Sequence, residues 1–394
     1  MEEEKLENQV SETNEEVTSE EKQKPELKKR FKHRWVGIVL NCVIGFFGTI
    51  IVTIGSFLIY ASATTLHVKD VETVKVKDAF PEMYKELHLN EENKIMTWNI
   101  GYCALDETAD FFMDGGKEVR AHSIDQVKNN IHQIGDQISA ISPDIAIIQE
   151  IDIDSSRSYR YDELNFMNAR LSQFNKAFAA NYKAGYVPYP FPKTLGKVYS
   201  GVATYSKFAV SDAKRYQLPI PFKWPVSLLN LKRCLLVERI PIAGSEKELV
   251  VINLHLEAYS EAAGKAKQLA KMFSIVDAEI AAGNYVIVGG DFNQTFSNID
   301  QYPYTPGNWE TPVIDVNTEG YDKYQFIMDN THPTCRLLDK PYKDADHDPN
   351  KFQYYMIDGF ICSKNVDVIS TETLNLEFKN SDHNPVLMNF KLAA

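Results

Sequence analysis

The chain has 394 residues, 44% of them hydrophobic, and a formal net charge of -12, with a pI near 5.3. It is long enough to bury one large core or two modest ones, and its acidity opposes an electrostatic grip on nucleic acid, which depends on Lys and Arg. Cys42, Cys103, Cys234, Cys335 and Cys362 lie far apart, without a CxxC or Cys/His spacing, so neither a zinc module nor a disulfide framework is expected.

Residues 1–34 combine an acidic, polar leader, which reads as a disordered tail, with the basic cluster KKRFKHR. Residues 35–60, from Trp35 to Tyr60, carry no charged side chain. That run exceeds the roughly 20 residues a helix needs to cross hydrocarbon, and Trp35 and Tyr60 would sit at the two interfaces. Ala61-Ser62-Ala63 looks like a signal-peptide cleavage site, but the apolar run is longer and the leader more polar than a signal peptide's. An uncleaved single-pass anchor is therefore expected. The cationic flank puts the N-terminus in the cytoplasm and the rest of the chain outside the cell membrane. Residues 61–92 are mixed and polar and are expected to form a stalk or the edge of a domain over residues 93–394.

From about Lys94 onward, strand-like and helix-like runs alternate. KIMTWNI is a strand carrying Asn99 at its end. Residues 118–141 place Val119, Ile124, Val127, Ile131, Ile134 and Ile138 on one helical face, stopped by Ser142-Pro143. DIAIIQE is a very apolar strand ending in Glu150, and a helix is expected near 162–178. SGVATYSK and KELVVINLHL are strands, the second with His255 inside it. Residues 262–281 read as another amphipathic helix, ended by Gly283-Asn284. YVIVGGDFN carries Asp291 and Asn293, YYMIDGFIC carries Asp358, and Asp382-His383 precede PVLMNFKL. Strands mixed with single helices point to a layered α/β or α+β domain.

A half-buried strand needs only apolar alternation, so amide, carboxylate and imidazole groups recurring at strand ends suggest one shared pocket. Singly, each also reads as a turn, a solvated strand end or a core histidine; the repetition is what counts. Asn99 and Glu150 form a hard-oxygen pair suited to Mg²⁺. Asp291 and Asn293, two apart in extended chain, project to the same side: one can orient an attacking water while the other binds a phosphate oxygen. Asp358 with Asp382-His383 offers a carboxylate-oriented imidazole for proton transfer or charge stabilisation. Arg157, a short loop beyond Glu150, is expected either to clamp a phosphate oxygen or to be a solvated loop arginine. The loops DFFMDGG (110–116) and YVPYPFP (186–192) are read as a substrate wall, a lipid contact or ordinary loop packing. His122, His132, His332 and His347 receive no role.

WNIGY, IIQEID, INLHLE, GGDFN, MIDGF and SDHNPV, in that order, resemble the successive motifs of the endonuclease/exonuclease/phosphatase superfamily over about residues 92–392. The resemblance implies a four-layer sandwich of two mixed β-sheets flanked by helices, with Mg²⁺ or Mn²⁺ at one rim. By this likeness Asn99 and Glu150 hold the metal with Asp382 nearby, and Asp291 positions or deprotonates the attacking water. Asn293 contacts the phosphate, and His383, oriented by Asp358, stabilises the pentacoordinate phosphate or moves a proton. His255 corresponds to a histidine near the leaving group. The expected activity is metal-dependent hydrolysis of a phosphodiester. The anchor and acidic surface favour a lipid head group or small diester; an extracellular nuclease is the alternative substrate class. A non-catalytic binding protein on the same fold is the alternative of another kind. No protein partner is indicated.

Overall fold

The computed structural model describes residues 2–79, 84–345 and 352–394. Helix α1 runs from Glu2 to Thr64, so the leader expected to lack structure is helical; Glu and Lys, abundant in it, are strong helix formers. Within α1, Lys32–Thr64 is long and apolar enough to cross a membrane. The most apolar stretch of that span is not buried in the protein, unlike the core helix of a soluble fold.

Ala61–Ala394 is a separate compact unit. Its main strands are β1 (Val71–Thr73), β2 (Asn93–Asn99), β3 (Ile145–Asp152), β4 (Asn175–Val187), β5 (Gly196–Ser206), β6 (Asp212–Gln217), β7 (Cys234–Pro241), β8 (Glu248–His255), β9 (Tyr285–Asp291), β10 (Tyr324–Ile327), β11 (Asp358–Ser363), β12 (Val366–Thr373) and β13 (Val386–Leu392). Helices α2 (Ile124–Ile141), α3 (Glu163–Arg170) and α4 (Ala262–Ala281) lie between them. One mixed sheet has the order β1-β6-β7-β8-β9-β11-β10, the other β12-β13-β2-β3-β5-β4.

Alternation along the strands builds the layers. Ile95, Ile145 and Ile147 of one sheet pack on Val251, Ile287 and Phe360 of the other. The opposite faces receive the helices: Met96, Trp98 and Ile148 meet Ile131, Ile134 and Met167, while Val250, Ile252 and Val288 meet Met272, Phe273 and Val276 of α4. The result is a helix–sheet–sheet–helix sandwich, as the resemblance implies. Gln149 Nε2 donates to Asn253 Oδ1 across the sheets at 2.9 Å, so this buried polar pair is satisfied.

The stalk expected over residues 61–92 is instead part of the domain. β1 pairs with β6 at the sheet edge, and Leu87 lies in the inter-sheet core. The helix expected from residue 118 begins at Ile124, because Ser123 Oγ accepts from the Gln126 N–H at 3.1 Å while Gln126 Oε1 accepts from the His122 N–H at 2.7 Å, a reciprocal cap. The helix expected near 162–178 ends at Arg170, since Asn175 opens the long strand β4.

Strand direction positions the site. β2 and β3 run parallel, as do β8 and β9, so each pair delivers two C-terminal ends to one rim. β11 is antiparallel to β9, with Asp358 opposite Asp291, and β13 is antiparallel to β2. The residues that begin those two strands therefore arrive at the same rim.

Candidate active site

His255 joins the two sheets. Its Nε2 lies 3.3 Å from Asp291 Oδ2 and its Nδ1 3.8 Å from Glu150 Oε1, so a single imidazole spans the distance between β9 and β3. Asn99 Nδ2 donates to Asp291 Oδ2 at 3.0 Å and lies 3.4 Å from His383 Nε2. His383 Nδ1 is 2.8 Å from Asp358 Oδ2; its Nε2 is 3.8 Å from Asp291 Oδ2 and 3.9 Å from Asp382 Oδ2. The Asn293 N–H donates to Asp291 Oδ1 at 2.8 Å, and Asn293 Nδ2 donates to the Leu256 carbonyl at 3.0 Å. Eight of the nine side chains singled out in the sequence thus converge on one rim.

The backbone is bent to make this possible. Glu150 has φ +58°, and the β3–β5 register shifts between Ile148 and Ile151. This bulge lets Glu150 leave the strand's alternation and face the rim, as bulges beside active sites commonly do. A left-handed conformation costs a non-glycine residue about 1 kcal/mol or more. Asn293 is also left-handed, at φ +49°. Gly101, at φ +53°, has no room for a side chain: a Cβ there would lie 2.6 Å from Asp382 Oδ1. Its N–H donates to Asn99 Oδ1 at 3.1 Å, so this glycine sits between the amide oxygen of Asn99 and the carboxylate of Asp382.

Burial sets the charges. It pushes the Glu150 carboxyl up to about 7, with repulsion from Asp382 the next cause. Asp291 is likewise pushed up to about 7 by burial and then by Asp358. His255 is held well below the usual histidine range by burial and by the Arg233 charge, so it is a neutral imidazole. For His383, burial acts downward, but Asp358 outweighs it and raises the ring well above its ordinary value. His383 is therefore an imidazolium backed by a carboxylate.

The donor chemistry fits a hard divalent cation between Asn99, Glu150 and Asp382. An amide oxygen and two carboxylates form an all-oxygen set, and the mutual repulsion that raises Glu150 is what a cation there relieves. Two other clusters of ionisable groups lie beside it. In Asp291, Asp358 and His383, whose ligand atoms lie within 4.8 Å of one another, His383 Nδ1 is already used by Asp358. In Cys335, Asp382 and His383, Cys335 supplies a soft sulfur, which suits a hard cation poorly.

Arg157 departs from both readings of the sequence. It is buried, at 5% exposure. Its Nε and Nη2 donate to Asp152 Oδ2 and Oδ1 at 3.1 and 2.9 Å, and its guanidinium lies 3.1 Å from the Tyr102 ring centroid. The fork that would grip a phosphate is spent on Asp152, so Arg157 braces the Gly101–Cys103 turn from beneath. His122 Nε2 lies 3.3 Å from the Thr108 carbonyl, His132 packs on Phe166, His332 is exposed, and His347 lies outside the described residues.

Three residues beside the site were not singled out in the sequence. Arg233 is buried with Nε and Nη1 lacking hydrogen-bond partners, and its charge bears on Glu150 and His255. Asp114, from the DFFMDGG loop, accepts from the Tyr259 hydroxyl at 3.2 Å; burial and the neighbouring Asp382 push its carboxyl up to about 6. Their signal was only a charge or aromatic in an aperiodic loop.

Solved structures share this architecture. An endonuclease/exonuclease/phosphatase protein from Beutenbergia cavernae DSM 12333 aligns over 77% of this chain and 72% of its own, at 18% identity and TM-score 0.53. One from Bacteroides vulgatus aligns over 77% and 100%, at 16% identity and TM-score 0.50. The human Nocturnin catalytic domain with bound sulfate anion aligns over 81% and 98%, at 16% identity and TM-score 0.46. At such identities the likeness is one of fold. No curated protein matches the chain in sequence. The sequence model of the endonuclease/exonuclease/phosphatase family matches residues 96–383, which span every converging side chain from Asn99 to His383, and the chain belongs to that family.

Proposed function

We propose that the protein is a divalent-metal-dependent phosphodiesterase, tethered to a cell membrane by α1 with its catalytic domain on the extracytoplasmic side. The family's members are phosphoester hydrolases and nucleases in name. The observation that carries the reading for this chain is Asp291. Its Oδ2 lies within 4 Å of the Asn99 amide and two imidazoles, one of them a carboxylate-backed imidazolium.

In this reading Asn99, Glu150 and Asp382 hold Mg²⁺ or Mn²⁺. Such an ion polarises a phosphoryl oxygen and neutralises the charge gathering on it. Asp291, pushed up to about 7, is matched to accept a proton near neutral pH. It takes that proton from water as the water oxygen attacks phosphorus; the P–O bond on the opposite side breaks, and the departing alkoxide takes a proton from solvent water. His383, charged and held by Asp358, donates Nε2–H to a phosphoryl oxygen. It suits that part better than the general base, because its proton is held too firmly. Neutral His255 has one N–H to offer near the leaving oxygen, and Asn293 contacts the phosphate.

The acidic chain and the apolar helix favour a lipid head group or small diester over nucleic acid. A binding protein without activity would have no need of intact acids and imidazoles at every rim position. Hydrolysis of a chromogenic phosphodiester with Mg²⁺ or Mn²⁺ tests the activity: His383→Ala and Glu150→Ala should each abolish it, and equal turnover by all three proteins refutes the assignment. A panel of sphingomyelin, a glycerophospholipid, plasmid DNA and an inositol phosphate then separates the substrate classes.

A further inference from the structure

The loops around the active-site mouth form a closed ring. Phe112 packs edge-on against Tyr189, ring centroids 5.6 Å apart. The Tyr259 hydroxyl donates to Asp114 Oδ1 at 3.2 Å. Gln268 ties the next pair of loops, accepting from the Glu257 N–H at 3.0 Å and donating to the Pro219 carbonyl at 3.0 Å. The Tyr182 hydroxyl donates to the Leu229 carbonyl at 2.9 Å, returning the ring to β4. The loop bearing Tyr259 leaves β8 directly after His255, and Asn293 Nδ2 donates to the Leu256 carbonyl at its start, so this ring is rooted at the catalytic rim.

The crest of the ring is apolar and bare. Phe191 is 89% exposed, Trp224 65%, Tyr189 63% and Val226 54%. Single exposed apolar residues are ordinary, but several large ones on adjoining loops mark an interaction surface. The sequence leaving α1 is fastened at the same place. Thr64 Oγ1 accepts from the Gly185 N–H at 3.1 Å, and the Leu66 N–H donates to the Lys183 carbonyl at 3.0 Å. Lys232 Nζ donates to Thr65 Oγ1 at 2.8 Å and also to the Leu66 carbonyl. Lys183 and Gly185 lie at the root of the loop bearing Tyr189 and Phe191; Lys232 lies at the root of the loop bearing Trp224 and Val226. The residues that follow the apolar run in the chain, Thr64 to Leu66, are thus fastened within the domain at the roots of both crest loops.

We propose that this crest docks on the lipid bilayer through Tyr189, Phe191, Trp224 and Val226, so that the active site opens onto phosphodiesters held in the head-group layer. The inference rests on the tethered phosphodiesterase reading above and supplies its substrate class. Aromatic side chains with one polar end settle at the head-group level, and apolar area buried there adds to the hold of the tether. Bases of single-stranded nucleic acid also stack on exposed rings, but such binding needs a cationic groove, and this mouth is lined by Asp114, Glu150 and Asp382.

The full chain, carrying Trp35→Phe to silence the tether's own indole, is reconstituted in phosphatidylcholine vesicles with brominated acyl chains. Trp224 emission should be quenched, and adding Trp224→Phe should remove most of the bromine-dependent quenching. Phe191→Ser with Trp224→Ser should lower turnover of a vesicle-borne phosphodiester by about tenfold and leave a soluble chromogenic diester untouched. Both residues are exposed, so their loss does not threaten folding. Equal quenching with and without Trp224 overturns the proposal. So does quenching that is absent while the crests of two copies crosslink, or protection of the crest by single-stranded DNA and not by lipid. Carbonate extraction of the vesicles reads the tether and the soluble diester reads the chemistry, so each of those readings fails separately from the docking.

Discussion

Asp358→Asn probes the charge arrangement with minimal change of shape. Asp358 Oδ2 lies 2.8 Å from His383 Nδ1, both groups are buried, and the carboxylate acts in two directions. It is the main influence holding His383 above its ordinary range against burial, and after burial it is the main cause of the rise in Asp291. A charge-assisted hydrogen bond contributes about 1.5–3 kcal/mol, so its loss should lower kcat about tenfold to a hundredfold, with KM little changed. The pH profile is the sharper readout. The acid limb reports Asp291, which must be ionised to accept a proton, and the alkaline limb reports His383, which must keep one. Without the Asp358 charge, Asp291 ionises more easily and His383 loses its proton more easily, so both limbs should move to lower pH. Turnover of a chromogenic phosphodiester across the pH range, in saturating Mn²⁺, measures this. A fall in kcat with both limbs unmoved would mean that Asp358 is only a packing residue and that the dyad reasoning is wrong.

Three further outcomes follow from the same geometry. In chelator, the folded chain retains a proton on Glu150 that the unfolded chain releases, since this carboxyl rises from 4.5 to about 7. The corresponding stability is full below the unfolded value and is lost as pH rises through the folded one, by up to about 3 kcal/mol; denaturant titrations in detergent should show that decline, and excess Mg²⁺ should flatten it. Gly101→Ala forces a Cβ to within 2.6 Å of Asp382 Oδ1 at φ +53°, which should cost about 1–3 kcal/mol and weaken Mn²⁺ binding, measured by titration, without unfolding the domain. Arg157→Ala leaves Asp152 buried and unpaired, so it should destabilise the domain by about 3–5 kcal/mol while KM stays near wild type; a raised KM with unchanged stability would restore the phosphate-clamp reading.

Much of the rim was legible because it obeys the simplest patterning rules. IMTWN, DIAIIQE and YVIVGGD are buried strands whose polar ends interrupt their own apolar logic, and parallel pairing carries those ends to one side. The α4 boundaries match the expectation because Gly283, at φ +80°, ends the helix where its periodicity stops. Legibility failed where local propensity and tertiary context disagree. Residues 175–178 read as helix but open β4, whose partner β5 lies close in the chain. Residues 61–92 have little apolar character, yet β1 gains its place by edge pairing with β6. The surroundings of Arg157 could not be foreseen, because the ring it covers, Tyr102, arrives from a different turn. Glu150 was found as a strand end, but the bulge that turns it to the rim leaves no mark in composition.

The central claim is that Asn99, Glu150 and Asp382 share one cation beside the Asp291–His383 pair. Mn²⁺ titration of the full chain in detergent, followed by electron paramagnetic resonance of the free ion, tests it most directly. The account predicts saturable binding that weakens by about tenfold or more in Glu150→Gln and in Asp382→Asn, where a charged ligand is lost, but not in His255→Gln. Binding of equal strength in all four proteins would contradict it.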